Sequence, residues 1–299
     1  MYYYIVNPAA GHSQLRGLQE KIRARLDELG IRGEWAKTTG PGEAGKMAAA
    51  AAASGHTTIV AVGGDDTVNE VINGLASNEQ IAIGILPLGK NNRIATQLGI
   101  RGWQQACEVL AARRITPYSL IAAGQKFFLS NLALGFETEL DKSVDTTRSG
   151  WQARLAQLWA GWSQAKDYTS LRARLTVDEQ YTIECDLFSC QIANQKFLNP
   201  TLDNRLVVSL AGHPGRRLQL GAYLWQLIRH HNDAATEDVA TTRFTAERVV
   251  LETDPSTSIM VDGKVTGRTP VAIRLTGQHV RFITEKVMGE FQQAVKIRY

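Results

Sequence analysis

AVGGDDTVNEVINGL, residues 61–75, sets two glycines and two acids between an apolar run, Ile59–Val62, and a helix-like run, Val68–Leu75. A glycine turn between strand and helix lets the backbone approach an anion closely, because glycine tolerates positive φ. The helix N-terminus that follows offers unbonded N–H groups and a partial positive charge. Asp65 and Asp66 oppose that reading, since two carboxylates repel a phosphate. Two other strand-like runs end in similar turns: Tyr2–Val6 in Asn7-Pro8, and Ile81–Pro87 in Gly89-Lys90-Asn91-Asn92. In an open α/β sheet, ligands sit outside the carboxyl ends of the strands. Three such turns meeting there would form one anion cradle. The competing reading is three ordinary tight turns, which use the same residue types.

Outward from this stretch, Leu15, Leu18, Ile22, Leu26 and Leu29 recur every three or four residues, the spacing of one helix face, with Gly30 as its stop. Glu34–Lys37 and Thr57–Val62 read as strands, and Glu43–Ala53, Asp66–Leu75 and Trp103–Ala112 as helices, with a further helical start at Ala95–Leu98. Strands alternating with helices imply an open, mostly parallel α/β sheet. After Pro117 the pattern turns to short β-like runs: Tyr118–Ala122, Phe127–Leu132, Leu171–Val177, Tyr181–Ile192, Leu206–Leu210, Thr242–Glu252, Ser258–Val261, Val271–Leu275 and Val280–Ile283. Helical segments near 151–167 and 218–231 interrupt them. The expected organisation is an α/β nucleotide-binding domain over 1–117, with 285–299 packing back on it, and a β-sandwich domain over 118–284.

The bulk composition is that of a globular chain: 299 residues, 44% hydrophobic and 21% charged. A net charge of +4, with a pI of about 9.0, suits an anionic ligand or membrane surface and does not call for nucleic acid. Cys107, Cys185 and Cys190 form no CxxC pair, which points to a reducing compartment. No apolar run approaches the roughly 18 residues that span a bilayer. The N-terminus has no basic leader followed by a long apolar stretch. The expectation is a cytoplasmic protein with at most peripheral contact at the inner membrane face. A homodimer is left open.

The motifs carry a family resemblance. GGDDTVNEVINGL is similar to the GGDGTxNEVxNG signature of the diacylglycerol kinase catalytic-domain family, which includes bacterial lipid kinases and sphingosine kinases. IVNPAAG at 5–11 resembles its NPxxG loop, GILPLGKNNRIATQLGI at 84–100 its GxLPxGTGNDFARxLGI segment, and NLALGFE at 131–137 its NxxxxGFD segment. MVDGKVTGRTPVAI at 260–273 resembles its DGE segment. A looser GGDGT occurs in NAD kinases; Asn69-Glu70-Val71 and Asn73-Gly74 favour the lipid-kinase branch. The resemblance implies ATP and a lipid or lipid-like alcohol in a cleft between two domains, with γ-phosphoryl transfer to the lipid hydroxyl and Mg²⁺ as cofactor. It places Asn7, Gly11 and Thr38 or Thr39 near the nucleotide, and Gly63, Gly64, Asp65, Thr67 and Glu70 on the phosphate loop. Gly89 and Asn92 complete that loop. Asp262 matches the general base, and Asp203, in Asp203-Asn204-Arg205-Leu206, matches a structural metal loop.

The departures lie in the same loops. Asp66 stands where the family has Gly, Lys90 for Thr, Asn91 for Gly, Arg93 for Asp and Thr96 for Arg. Ser119 stands for an Asp after the fifth strand, Lys264 for a Glu, and Asn204 and Val207 for the Gly and Asp of the metal loop. Unit charges about 4 Å apart interact by roughly 4 kcal/mol at an effective dielectric near 20, so Asp66 would oppose a phosphate strongly. Lys90, Arg93 and Lys264 are new cations that offset it. Two readings follow. In one, Asp66 pairs with Lys90 or Arg93 and the site is a relic on a regulatory binding protein. In the other, the cations replace the metal while Asp65 or Asp262 handles the proton. Phosphoryl transfer depends mainly on positioning and charge stabilisation, so a kinase that depends little on Mg²⁺ is conceivable.

Other features are less specific. Trp151, Leu155, Leu158, Trp159 and Trp162 share a helical face with Arg154 and Lys166 nearby, which suits either a membrane surface or a core. His230-His231 reads as a solvated helix end, and Asp233, Glu237 and Asp238 as surface acids. GxSxG and a GxGxxG after the first strand are both absent.

Overall fold

The structure, a computed structural model, describes residues 1–10, 15–89, 92–138, 168–198, 202–213 and 241–285. The tryptophan stripe, the His230-His231 pair and the helical segments near 151–167 and 218–231 lie outside the described residues. In chain order the elements are β1 (Tyr2–Val6), α1 (Leu15–Glu28), β2 (Gly33–Lys37), α2 (Glu43–Ala53), β3 (Thr58–Gly63), α3 (Asp65–Leu75), β4 (Ala82–Pro87), α4 (Arg93–Gln97), α5 (Gly102–Ala112), β5 (Ile115–Ala123), β6 (Lys126–Phe128) and β7 (Asn131–Gly135). They continue with β8 (Leu171–Val177), β9 (Tyr181–Leu187), β10 (Ser189–Asn194), α6 (Gln195–Leu198), β11 (Leu206–Ala211), β12 (Thr241–Ala246), β13 (Arg248–Asp254), β14 (Ser258–Val261), β15 (Lys264–Arg268) and β16 (Val271–Ile283).

Two compact units divide the chain: Met1–Leu129 with Asn199–Asp203 and Thr276–Tyr299, and Ser130–Leu198 with Asn204–Leu275. The first unit thus extends past the expected boundary at 117. The reason is pairing: β5 bonds to β6 and β16, and Asn73 of α3 holds the backbone of Phe127. β16 also runs unbroken through Thr276-Gly277-Gln278, which the sequence suggests as a turn. Thr276 Oγ1 donates to Leu120 O at 2.8 Å there.

In the first unit β2-β1-β3-β4 form a parallel sheet in that order. The end of β16 joins β4 in parallel at Arg281↔Ala82. β3 and β4 are buried throughout, as in strands covered on both faces. The chain steps from β1 to β2 on one side and then to β3 on the other, so the topological switch lies between β1 and β3. On α3, Val68, Val71, Ile72 and Leu75 are buried, a one-sided stripe. Ile22 and Leu26 do the same for α1, which ends before Gly30 at φ +72°. α2 and α3 cross with backbones in contact: a Cβ on Gly74 would lie 2.1 Å from Gly45 O.

The second unit is a β-sandwich of two antiparallel sheets. One contains β9, β8, β13 and the start of β16; the other has the order β12-β11-β10-β7-β14-β15. β8 shows why they bury one face: Leu171, Ala173, Leu175 and Val177 are buried, while Arg172 and Arg174 are exposed. Three expected runs are each two strands. The run Phe127–Leu132 breaks at Leu129-Ser130, where the units divide. Tyr181–Ile192 breaks at Phe188, whose N–H bonds to Ala211 O at 2.9 Å. Thr242–Glu252 breaks at Glu247, whose N–H bonds to Asp178 Oδ1 at 2.8 Å. β15 is an additional strand that the charged, glycine-containing KVTGR did not suggest. Among the described residues no helix is long and apolar enough to cross a membrane.

Candidate functional site

β1, β3 and β4 are neighbours, so the turns after Val6, Gly63 and Pro87 lie side by side. Asn7 N donates to Val62 O and Leu88 N to Gly63 O, both at 3.0 Å. Asn7 Nδ2 donates to Thr67 Oγ1 at 3.1 Å, while its Oδ1 accepts Ala9 N at 3.0 Å, an Asx turn. Gly63 cannot carry a side chain, because its Cβ would lie 2.4 Å from Thr67 Oγ1. The N-cap of α3 is Gly64, which lends no side chain to the first-turn N–H groups. A helix start of that kind favours an anion.

Asp65 is buried, and its carboxylate reaches across to the third turn. Arg93 N donates to Oδ2 at 2.8 Å and Ile94 N to Oδ1 at 3.0 Å, so Asp65 holds the start of α4. Asn92 closes that turn on itself: Gly89 N donates to its Oδ1 at 3.2 Å, and its Nδ2 to Gly89 O at 2.8 Å. Asp66 is exposed on the first turn of α3. Arg93 is half-buried, and among the described residues its guanidinium forms no ion pair, with Asp66 or any other acid. Gly11 and Lys90 lie outside the described residues.

Other expected residues sit apart from this loop. Glu70 holds the start of α2, accepting Gly42 N at 2.8 Å and Ala44 N at 3.3 Å. Thr38 is buried at the end of β2, its N–H on Val6 O at 2.9 Å. Thr39 Oγ1 donates to Glu43 at 2.9 Å. The Thr39 backbone N–H holds the Glu43 carboxyl below the usual carboxylate range. Ser119 is buried within β5 and not after it.

In the second unit Asp262-Gly263 is the two-residue turn of the β14–β15 hairpin, with φ +47° and +87°, the conformation of a type I′ turn. The Asp262 side chain points inward. Its Oδ1 accepts Ser130 N at 3.1 Å, Ser130 Oγ at 2.7 Å and Asn131 N at 3.0 Å. Its own N–H bonds to Asn131 O at 2.9 Å. Lys264 follows, exposed. Ser130 carried no signal in the sequence. Asn131 opens the NLALGFE segment, but its part in holding Asp262 needs the fold.

The donor set for Mg²⁺ is a poor fit. A hard ion takes oxygen ligands, usually one or two carboxylates plus substrate phosphates. Both oxygens of Asp65 accept backbone N–H bonds, and so do both of Glu70. Among the described residues no three His, Cys, Asp or Glu side chains converge. Asp203 is exposed.

The strand order, the three turns and the antiparallel second unit define an open α/β sheet unit followed by a β-sandwich unit. Residues 1–123 match the family profile described as Diacylglycerol kinase catalytic domain. The chain is 28% identical over 160 residues to the diacylglycerol kinase of Bacillus subtilis, covering 52% of this chain and 53% of that protein. It therefore spans about half the length of that curated relative. A solved diacylglycerol kinase of Bacillus anthracis str. Sterne superposes with a TM-score of 0.71 at 20% identity, over 95% of this chain and 96% of that chain. An NAD kinase from Archaeoglobus fulgidus in complex with ATP gives a TM-score of 0.51 at 13% identity, over 97% and 96%. At these identities the two structures speak to fold alone.

Proposed function

We propose that this chain is a lipid kinase that transfers the γ-phosphate of ATP to the hydroxyl of a lipid or lipid-like alcohol. The observation that carries the reading is the alignment of three strand-end turns beside the switch between β1 and β3, in a domain of the diacylglycerol kinase family. Asn7, Gly63, Gly64, Thr67, Gly89 and Asn92 shape the anion cradle, and Arg93 supplies a cation. Asp65 acts by holding Arg93 and the third turn in place. In the second unit Asp262 accepts the alcohol proton; the Ser130 and Asn131 donors on Oδ1 fix its orientation. Mg²⁺, where present, would arrive with the nucleotide and neutralise phosphate charge.

ATP turnover against a panel of diacylglycerol, monoacylglycerol, sphingosine and NAD⁺ tests this. Turnover with a lipid alcohol supports the reading, and turnover only with NAD⁺ replaces it with an NAD-kinase activity. A second reading, a non-catalytic protein that binds nucleotide, phosphate or lipid, is favoured by Asp66 on the exposed first turn of α3. Asp66→Gly separates the two. A working enzyme changes its KM for ATP, whereas an inactive binding protein gains no turnover.

A further inference from the structure

We propose that Arg93 grips the phosphate chain directly, so that this site takes the metal-free nucleoside triphosphate about as well as its Mg²⁺ complex. The proposal rests on the nucleotide reading above and deepens it. It follows from how the loop distributes its charged groups. The buried carboxylate nearest the cradle, Asp65, has both oxygens on the N–H groups of Arg93 and Ile94. These two bonds hold the buried carboxylate against the start of α4, so its orientation is set by backbone donors. Glu70 is held in the same way by Gly42 and Ala44. No three-ligand cluster exists among the described residues to hold a divalent ion in their stead.

The cationic side is built in the opposite sense. Arg93 is anchored through its backbone N–H at 2.8 Å from Asp65, yet its guanidinium forms no ion pair among the described residues. A half-buried guanidinium with no acid partner is a binding group waiting for an anion, and its planar fork matches two phosphate oxygens at once. The start of α3, where Gly64 supplies no side-chain cap, lies on the neighbouring strand end. Together they offer a fixed positive charge and helix N–H groups to the same polyphosphate, which is the part a metal would otherwise play. Asp65 is then a positioning residue for Arg93 and not a metal ligand.

Calorimetric titration of the full chain with ATP, in excess EDTA and in excess MgCl₂, tests this. The expected dissociation constants agree within about threefold, less than the loss of one charge-assisted hydrogen bond would cause. Arg93→Ala then weakens ATP by about tenfold or more in both buffers, as loss of such a contact predicts, and Arg93→Lys by an intermediate factor. The Asp65 bonds run through backbone N–H groups, so both variants should keep the parent melting temperature; if Arg93→Ala does not fold, Arg93→Lys carries the comparison. ATP binding in MgCl₂ that falls about tenfold or more in EDTA overturns the proposal and leaves the nucleotide reading standing. Unchanged affinity in a folded Arg93 variant also overturns it. Failure to bind ATP in either buffer refutes the nucleotide reading itself, and the proposal with it.

Discussion

The Asp65 carboxylate and the Arg93 backbone N–H meet at 2.8 Å, tying the glycine loop after β3 to the helix that follows β4. The carboxylate thus links two turns that the sequence sets 28 residues apart. Its second oxygen completes the cap at Ile94 N, 3.0 Å away.

Asp65→Ala should therefore lower stability, by about 1–2 kcal/mol, the usual loss for removing an N-cap acceptor. Asp65→Asn keeps one oxygen acceptor and should lose less. Denaturant melts of both variants check this. A catalytic role alone would leave the midpoints unchanged and abolish turnover.

Gly74→Ala should destabilise the first unit, because its Cβ would meet Gly45 O at 2.1 Å, backbone that cannot rotate away. Overpacking of this kind costs about 1–3 kcal/mol. Gly45→Ala, with Glu70 O at 2.7 Å, should behave alike and shift the bonds that Glu70 makes to α2. Thermal unfolding of each variant is the measurement.

Asp262→Asn keeps an oxygen for Ser130 and Asn131 and should fold normally, while phosphotransfer falls by about 10²–10⁴-fold, the contribution typical of a general base. Asp262→Ala instead leaves two backbone N–H groups and a hydroxyl without their acceptor, at about 1–3 kcal/mol for each buried donor left unmade. Comparing turnover with melting temperature in the two variants separates proton transfer from scaffolding.

Alkaline pH should weaken the fold. Burial pushes the Cys107 thiol up from 9.0 to about 11 and the Tyr118 phenol from 10.0 to about 12. Burial also raises Tyr4 and Cys190. Each group stays protonated in the folded state while the unfolded chain loses its proton, so the native state binds more protons. Stability is then full below about pH 9 and declines as pH rises through about 11 to 12. Urea midpoints at pH 8, 9, 10 and 11 should fall in that order; a flat series would contradict it.

Much of the fold was legible because period and punctuation are local properties. The stripe of α1 and its stop at Gly30, the alternation of strand and helix up to α5, and the inward-outward pattern of β8 all follow from residue spacing. Where the reading slipped, long-range pairing outweighed local composition. Thr276-Gly277-Gln278 looks like a turn, yet β16 passes straight through it. KVTGR is too charged to suggest a strand, yet the type I′ turn at Asp262-Gly263 folds it against β14. The signature residues divide in the same way. Asn73 and Gly74 are readable as motif, but the fold assigns Asn73 Nδ2 to Phe127 O at 2.8 Å and Gly74 to a helix crossing.

By itself the sequence determined the α/β and β-rich architecture and the three strand-end turns, since these depend on patterns that lie along the chain. Only the tertiary structure decided which carboxylates are committed to backbone donors, and that the Arg93 guanidinium forms no ion pair among the described residues. Hydrogen-bond partners 28 residues apart, as Asp65 and Arg93 are, are set by which strand ends come to lie side by side.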